Sequence, residues 1–268
     1  MTHLGLGRVA AVALAAGAVG GWLGEAAVAA PWCGTPTTTD RPATVTGRAI
    51  RVVYAIGSDG PDRSAERAPG ISADVDEISA WWRGQDPERE PRFDRVGFSC
   101  GPQADLLVVR TTDTAAELQV DETRFEKVSQ AVLTATGSQY EKQLVYYDGP
   151  VQNDRRCGEG GGSATGSGVA IVYLGACAGV ATASTAAHEL LHAMGALEAG
   201  GPPNACPDRG GHPCDSETDL LWPFVSVDLA SSVLDVGRND YYGHGGGWAD
   251  VQDSGWLRLV TRQVRLSL

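Results

Sequence analysis

The pentad His188-Glu189-Leu190-Leu191-His192 constrains the fold of this chain more than any other stretch of its sequence. Two histidines four residues apart share one face in an α-helix, where both rings can point at a single ion. The opposite face is an apolar stripe at helical spacing, formed by Ala187, Leu190, Leu191 and Met194. The sequence therefore predicts an amphipathic helix over Thr182–Met194, which Gly195 ends.

Upstream of this helix, short segments rich in β-branched residues alternate with segments of helical periodicity. The predicted strands are Ile50–Ile56, Asp105–Thr111, Gln143–Tyr147 and Val169–Leu174, and the predicted helices are Ile71–Trp82 and Glu122–Ala135. The glycine-rich stretch Gly158–Gly168 is interpreted as a flexible surface loop. Strands that alternate with helices predict an α/β (α+β) layer, followed by an irregular C-terminal lobe rich in Gly and Asp.

The N-terminus has the organisation of a secretory signal peptide over residues 1–29. Positive charge at Arg8 precedes an apolar run from Val9 to Leu23, and Ala27-Val28-Ala29 fits a small-x-small cleavage site. The apolar run is shorter than the roughly 18–20 residues that span a bilayer, although an uncleaved anchor is the alternative. We therefore expect a secreted protein without stable membrane association once the signal is removed.

The remainder of the chain divides by composition into a tether and one large domain. Residues 30–48 are rich in Thr and Pro and are interpreted as a tether, which leaves 49–268 as the predicted catalytic domain. The formal net charge of −12 excludes nucleic-acid binding, because phosphate contacts require a basic surface. We expect the protein to be a monomer.

All six cysteines lie after the predicted cleavage site, and an even number in an exported chain predicts three disulfides. Short loop closure favours Cys206–Cys214 and Cys157–Cys177, which leaves Cys33–Cys100. The alternative is that Cys33 is a free thiolate that masks a metal site.

A catalytic zinc ion takes three protein ligands and leaves a fourth position for water. Beyond the two histidines of the helix, several residues can supply the third ligand. Glu198 lies ten residues after the first histidine and three after Gly195, a glycine that lets the chain turn sharply back. His212 lies beside a cysteine whose disulfide would make the segment rigid. His244 and Asp215 are the remaining candidates, and the sequence leaves the choice open.

The stretch 188–198, HELLHAMGALE, resembles the extended zinc motif of the metzincin metallopeptidases. It is particularly similar to small secreted bacterial enzymes such as snapalysin, whose third ligand is an acid where this chain has Glu198. Residues 211–223, GHPCDSETDLLWP, resemble a segment of exported actinobacterial zinc-peptidase-like proteins, and Leu221 stands where the methionine of the turn beneath the metal would be. The resemblance implies a metzincin-like mixed sheet and a zinc-binding active-site helix. It also implies that Val169–Leu174, immediately before the helix, is an edge strand that pairs with extended substrate.

The motif predicts a hydrolytic mechanism. Zinc held by His188, His192 and a third residue would lower the pKa of a bound water, and Glu189 would take the water's proton as general base. A second donor to the oxyanion is expected from Tyr242, Tyr241 or His244, and the alternative for the tyrosines is packing in an aromatic corner. The predicted function is that of a secreted zinc-dependent endopeptidase acting on a peptide or protein.

Two other functions remain open from the sequence alone. The same water attack would serve a zinc amidase that cleaves a cell-wall or small amide, and a chain that keeps the helix without metal would be an inactive binding protein. Calcium is a further candidate cofactor, because carboxylate oxygens suit it and the C-terminal part carries Asp228, Asp235, Asp240, Asp250 and Asp253. No D-x-D-x-D-G loop is present, so these aspartates are expected to be solvated surface charge.

Overall fold

A computed structural model describes residues 31–42, 45–137, 141–152, 155–197, 202, 205–207 and 209–260. The predicted signal peptide and Glu198 lie outside these ranges. The elements are, in chain order, β1 (Ile50–Ile56), α1 (Ser64–Gln85), β2 (Arg89–Pro91), β3 (Arg95–Phe98), β4 (Gly101–Ala104), β5 (Leu106–Arg110), α2 (Ala115–Leu118), α3 (Asp121–Thr136), β6 (Lys142–Tyr147), β7 (Gly158–Gly162), β8 (Gly168–Tyr173), α4 (Thr182–Ala193) and β9 (Leu257–Leu259).

The centre of the molecule is a five-stranded sheet in the order β5-β1-β6-β8-β7. The first four strands are parallel, and β7 runs antiparallel to β8 at one edge. Every residue of β6 and β8 is buried, as is typical of parallel strands covered on both faces. The predicted α/β class and its mixed sheet are confirmed.

The two faces of the sheet carry different helices, because successive side chains of a strand point to opposite sides. Val52 and Tyr54 of β1 belong to a buried apolar cluster with residues of α1 and α4. Val53, between them, belongs to a second cluster with Val128 and Val132 of α3. The active-site helix predicted from the sequence is therefore packed on the sheet by its apolar stripe.

Most of the elements predicted from the sequence lie within one residue of their predicted bounds, and two regions differ by more. The first helix begins at Ser64 rather than Ile71, and it contains Pro69. Proline lacks an N–H, so it removes one backbone bond near the start of the helix, and burial of Ala68 and Ile71 against the sheet outweighs that loss. The stretch interpreted as a loop over Gly158–Gly168 contains strand β7 in its first five residues.

The described part of the predicted tether is fixed to the sheet. The Thr37 amide donates to the carbonyl of Leu106 at 3.0 Å, and the Val108 amide donates to the carbonyl of Thr37 at 2.7 Å. Cys33, in the same segment, forms a disulfide with Cys100. The described part of this segment is therefore held beside β5 by a single β-bridge at Thr37 and by the Cys33–Cys100 disulfide.

All three predicted disulfides are present: Cys33–Cys100, Cys157–Cys177 and Cys206–Cys214. The alternative of a free Cys33 thiolate is wrong, because its sulfur is bonded. In the part of the chain that the structure describes, no helix combines the length and apolar character needed to cross a bilayer.

The C-terminal lobe is irregular, as predicted, but two of its aspartates are not solvated. Asp235 and Asp240 are buried. The Asp235 carboxylate accepts hydrogen bonds from the backbone N–H groups of Tyr241 at 2.7 Å and Tyr242 at 2.6 Å, and from that of Asn239 at 3.2 Å. In this lobe, buried carboxylates thus accept hydrogen bonds from backbone N–H groups that do not pair in a sheet.

Candidate metal centre

Helix α4 places His188 and His192 on one face and Glu189 beside them. Its apolar stripe is buried in the core, and all three of these polar side chains line the cavity on the other side. The helix ends before Gly195, whose φ of +88° is a left-handed conformation that favours glycine. The predicted helix and its stop are confirmed.

The tautomer of His188 follows from its neighbour. Its Nδ1 lies 2.7 Å from the carbonyl oxygen of Leu220. A carbonyl only accepts, so Nδ1 carries the proton and Nε2 is left with a free electron pair. Such an orienting hydrogen bond is what metal-binding histidines commonly have.

The same contact locates the segment that contains Leu221, the residue that the resemblance aligned with a methionine. Leu221 is fully buried, and its amide donates to Asp219 Oδ1 at 2.7 Å. Asp219 also accepts from the hydroxyl of Tyr241 at 2.8 Å and from the amide of Val236 at 2.8 Å. The turn therefore lies against His188, and leucine supplies apolar volume in it.

His212 reaches the helix from the C-terminal lobe. The Cys206 amide donates to the His212 carbonyl at 2.8 Å, and the Cys206–Cys214 disulfide closes the loop around it. His212 Nδ1 lies 3.2 Å from the Gly210 carbonyl oxygen, which only accepts hydrogen bonds. The proton is therefore on Nδ1, and Nε2 is again left with a free electron pair. A short covalent loop thus holds this ring in position.

The three rings converge on one point. His188 Nε2 and His192 Nε2 are 3.3 Å apart, and one nitrogen from each of His188, His192 and His212 lies within 4.8 Å of the others. Two nitrogens bound to one zinc at 2.0–2.1 Å in a tetrahedron are about 3.3 Å apart. The donor set is three imidazoles, of which His188 and His192 are at tetrahedral spacing, and it fits a metal ion.

The electrostatics of the cluster favour uncharged rings. Burial, with a smaller contribution from His212, lowers the pKa of His188 to about 4. Burial and the neighbouring histidines also lower the pKa of His192, and burial lowers that of His212. Neutral imidazole is the form that binds a metal. Burial, followed by the charge of Glu159, raises the pKa of the Glu189 carboxyl to about 8.

Strand β7 forms the opposite wall of the site. A Cβ at Gly160 would lie 2.4 Å from the carbonyl oxygen of Glu189 and 2.9 Å from the His192 Cβ, and one at Gly162 would lie 2.3 Å from the Ala193 carbonyl oxygen. Only glycine lets the strand approach the helix this closely. The prediction of a flexible loop is wrong here because the missing side chains serve contact between backbones rather than flexibility.

The edge strand also differs from the one implied by the resemblance. Strand β8, predicted as Val169–Leu174, pairs with β6 on one side and β7 on the other. The exposed edge beside the histidines therefore belongs to β7. The sequence gives no clear signal for this strand, because Gly161 interrupts the alternation of the glycines at 158, 160 and 162.

The histidines and Glu189 open into a cavity of about 1140 Å³. This volume is slightly above the roughly 300–1,000 Å³ that is usual for small-molecule sites. Its lining includes the backbone of β7, apolar side chains and three arginines in an otherwise acidic protein: Phe125, Phe224, Val225, Arg155, Arg156 and Arg209.

The structure places Tyr242 and His244 away from this cavity. Tyr242 is fully buried, and its hydroxyl donates to Asp86 at 2.7 Å and accepts from the Trp82 indole at 3.3 Å. His244 stacks on Trp248 with ring centroids 4.8 Å apart. Neither residue lines the cavity, because the hydrogen bonds and packing of the lobe hold them elsewhere. Their predicted role as oxyanion donors is therefore corrected.

The position of each candidate for the third ligand shows whether it can reach the two histidines of α4. His212 is in the cluster, while His244 and Asp215 are not among the described residues that converge there. Glu198 lies outside the described residues.

No protein-family model matches the chain, and no curated protein matches its sequence. Among solved structures, wild-type OgpA from Akkermansia muciniphila is similar over 59% of this chain and 52% of that chain, with 17% identity and a TM-score of 0.36. Catalytically inactive OgpA in complex with an O-glycopeptide substrate, glycodrosocin, is similar over 63% of this chain and 54% of that chain, with 16% identity and a TM-score of 0.38. The chain thus spans about half the length of these proteins.

Proposed function

We propose that this protein is a secreted zinc-dependent endopeptidase. The observation that carries the proposal is the convergence of His188, His192 and His212 beside the carboxylate of Glu189, at the floor of an open cavity. A structural zinc site would be closed by a fourth protein ligand, whereas a catalytic site keeps one position open. Three disulfides suit a secreted chain, because such bonds persist in oxidising compartments.

The three histidines would hold the zinc ion. Zinc bound there would act as a Lewis acid toward a carbonyl oxygen and would lower the pKa of water. We propose His212 rather than Glu198 as the third ligand, because its ring is already oriented by its own backbone contacts and by the neighbouring disulfide.

Glu189 would move the proton. Its side chain is buried but borders the cavity, and the helix fixes it one residue from His188. In this proposal its carboxylate takes a proton from the attacking water and passes it to the nitrogen of the leaving amine.

Strand β7 would position the substrate. Its outer edge has no strand partner among the described residues, and it borders the cavity beside Glu189. An extended peptide can add to such an edge through backbone hydrogen bonds. Because these bonds do not depend on side chains, we propose a peptide or protein substrate with tolerance for sequence.

The test is the variant Glu189→Gln, which keeps the shape of the side chain but cannot accept the water's proton. We expect bound zinc to be unchanged and kcat for a casein-derived peptide to fall about 10²–10⁴-fold. Glu126→Gln, an exposed change on α3, is the matched control and should keep parent activity. Parent activity in Glu189→Gln would overturn the mechanism.

A further inference from the structure

A second group of acidic side chains lies at another place in the fold. One carboxylate oxygen from each of Asp40, Asp94 and Asp105 lies within 4.8 Å of the others. The three residues come from distant parts of the sequence: the segment beside β5, the connection between β2 and β3, and the residue before β5. Asp94 and Asp105 are almost completely buried, at 3% and 4% exposure.

Asp94 differs from the other two members of this cluster. Arg41 donates to Asp105 at 2.6 Å, and Arg51 forms an ion pair with Asp40. Asp94 Oδ1 is fully buried and has no hydrogen-bond partner among the described residues. A buried carboxylate without a partner is costly, so such a group requires an explanation.

The charge balance also leaves room for a cation. Arg51 bonds Glu141 as well, so four carboxylates surround two guanidinium groups. The excess is two negative charges at a site whose donors are all oxygen atoms. Oxygen donors select hard cations, and calcium accepts irregular sets of carboxylates with water completing its shell.

From the buried, unpartnered Asp94 and its two acidic neighbours, we infer that Asp40, Asp94 and Asp105 form a calcium site separate from the histidine cluster. The ion would join the segment that carries Asp40 to the start of β5, where Thr37 already pairs with the sheet. Its role would be to hold the N-terminal segment on the domain. This site is separate from the C-terminal aspartates Asp228, Asp235, Asp240, Asp250 and Asp253.

The experiment is calcium titration of the purified full chain in metal-free buffer at pH 7.5, followed by calorimetry and by thermal unfolding. Neither readout requires peptidase activity. We expect one calcium per chain with a Kd of about 10⁻⁴–10⁻³ M, in the range of extracellular sites. At saturating calcium the Tm should rise by about 5 °C.

Two variants decide the result. Asp94→Asn should weaken calcium binding at least tenfold, and it should unfold at or above the parent's Tm in calcium-free buffer, because it removes an uncompensated buried charge. Asp40→Asn changes a more exposed residue and should also weaken binding about tenfold, so it decides the matter if Asp94→Asn does not fold. Asp253→Asn, at an exposed position outside the cluster, should bind as the parent does. Absence of binding at 10 mM calcium, or parent affinity in the foldable cluster variants, would overturn the inference.

Discussion

The two sides of the histidine cluster are built differently. On one side, α4 and β7 position His188 and His192 through regular hydrogen bonding and close backbone contact. On the other side, His212 and the Asp219–Trp222 turn come from a lobe whose described residues contain only β9 and two short 3₁₀ turns. Buried carboxylates and a disulfide take the place of a sheet there. Side chains of a site can therefore be held in position without regular secondary structure on every side.

The irregular side should be the more sensitive to loss of a single group. Asp235→Asn replaces one oxygen that accepts backbone N–H groups by an amide nitrogen, which would face those donors. We expect the free energy of unfolding to fall by about 4 kcal/mol, measured by urea denaturation. The left-handed backbone of Asp235, with φ of 54°, suits asparagine, so backbone strain should not contribute. A loss below about 1 kcal/mol would show that the carboxylate does not organise the lobe.

The regular side should be sensitive to added volume instead. Gly160→Ala places a Cβ against the Glu189 carbonyl oxygen, so we expect a loss of about 3 kcal/mol in stability and reduced zinc occupancy. Gly161→Ala is the matched control, because its Cβ would have its nearest neighbour at 3.6 Å, in Phe125. Equal effects of the two substitutions, measured by unfolding and by metal content, would refute the close-packing role of Gly160.

Replacing a buried carboxylate on the regular side by an amide should raise stability, whereas Asp235→Asn should lower it. Burial raises the pKa of Asp74, on α1, to about 6, although a hydrogen bond from Thr182 opposes the shift. The unfolded chain ionises this group near pH 4, so the folded state loses stability as pH rises from about 4 to 6. Asp74→Asn should remove the loss, and its stability relative to the parent should grow from zero at pH 4 to about 2 kcal/mol at pH 7. A difference that does not change with pH would contradict the assignment.

The same division explains what the sequence could predict. The helix over 182–193, the four parallel strands and the disulfides follow from periodicity, composition and loop length, which act locally. Strand β7 was missed, because glycines typical of a loop here allow contact between a strand and a helix that are distant in sequence. His212 could be named as a candidate but not chosen, since its position depends on the lobe. Tyr242 and His244 were misplaced for the same reason, as their hydrogen bonds and packing in the lobe cannot be derived from spacing.

The central claim is that His188, His192 and His212 bind one catalytic zinc ion. Metal content by mass spectrometry tests it most directly, on protein purified without added metal and paired with a casein digestion assay. We predict one zinc per chain with cleavage that a chelator abolishes, and loss of most of the zinc in His212→Ala but not in Glu198→Ala. Absence of zinc even after supplementation, or full zinc occupancy in His212→Ala, would contradict the account.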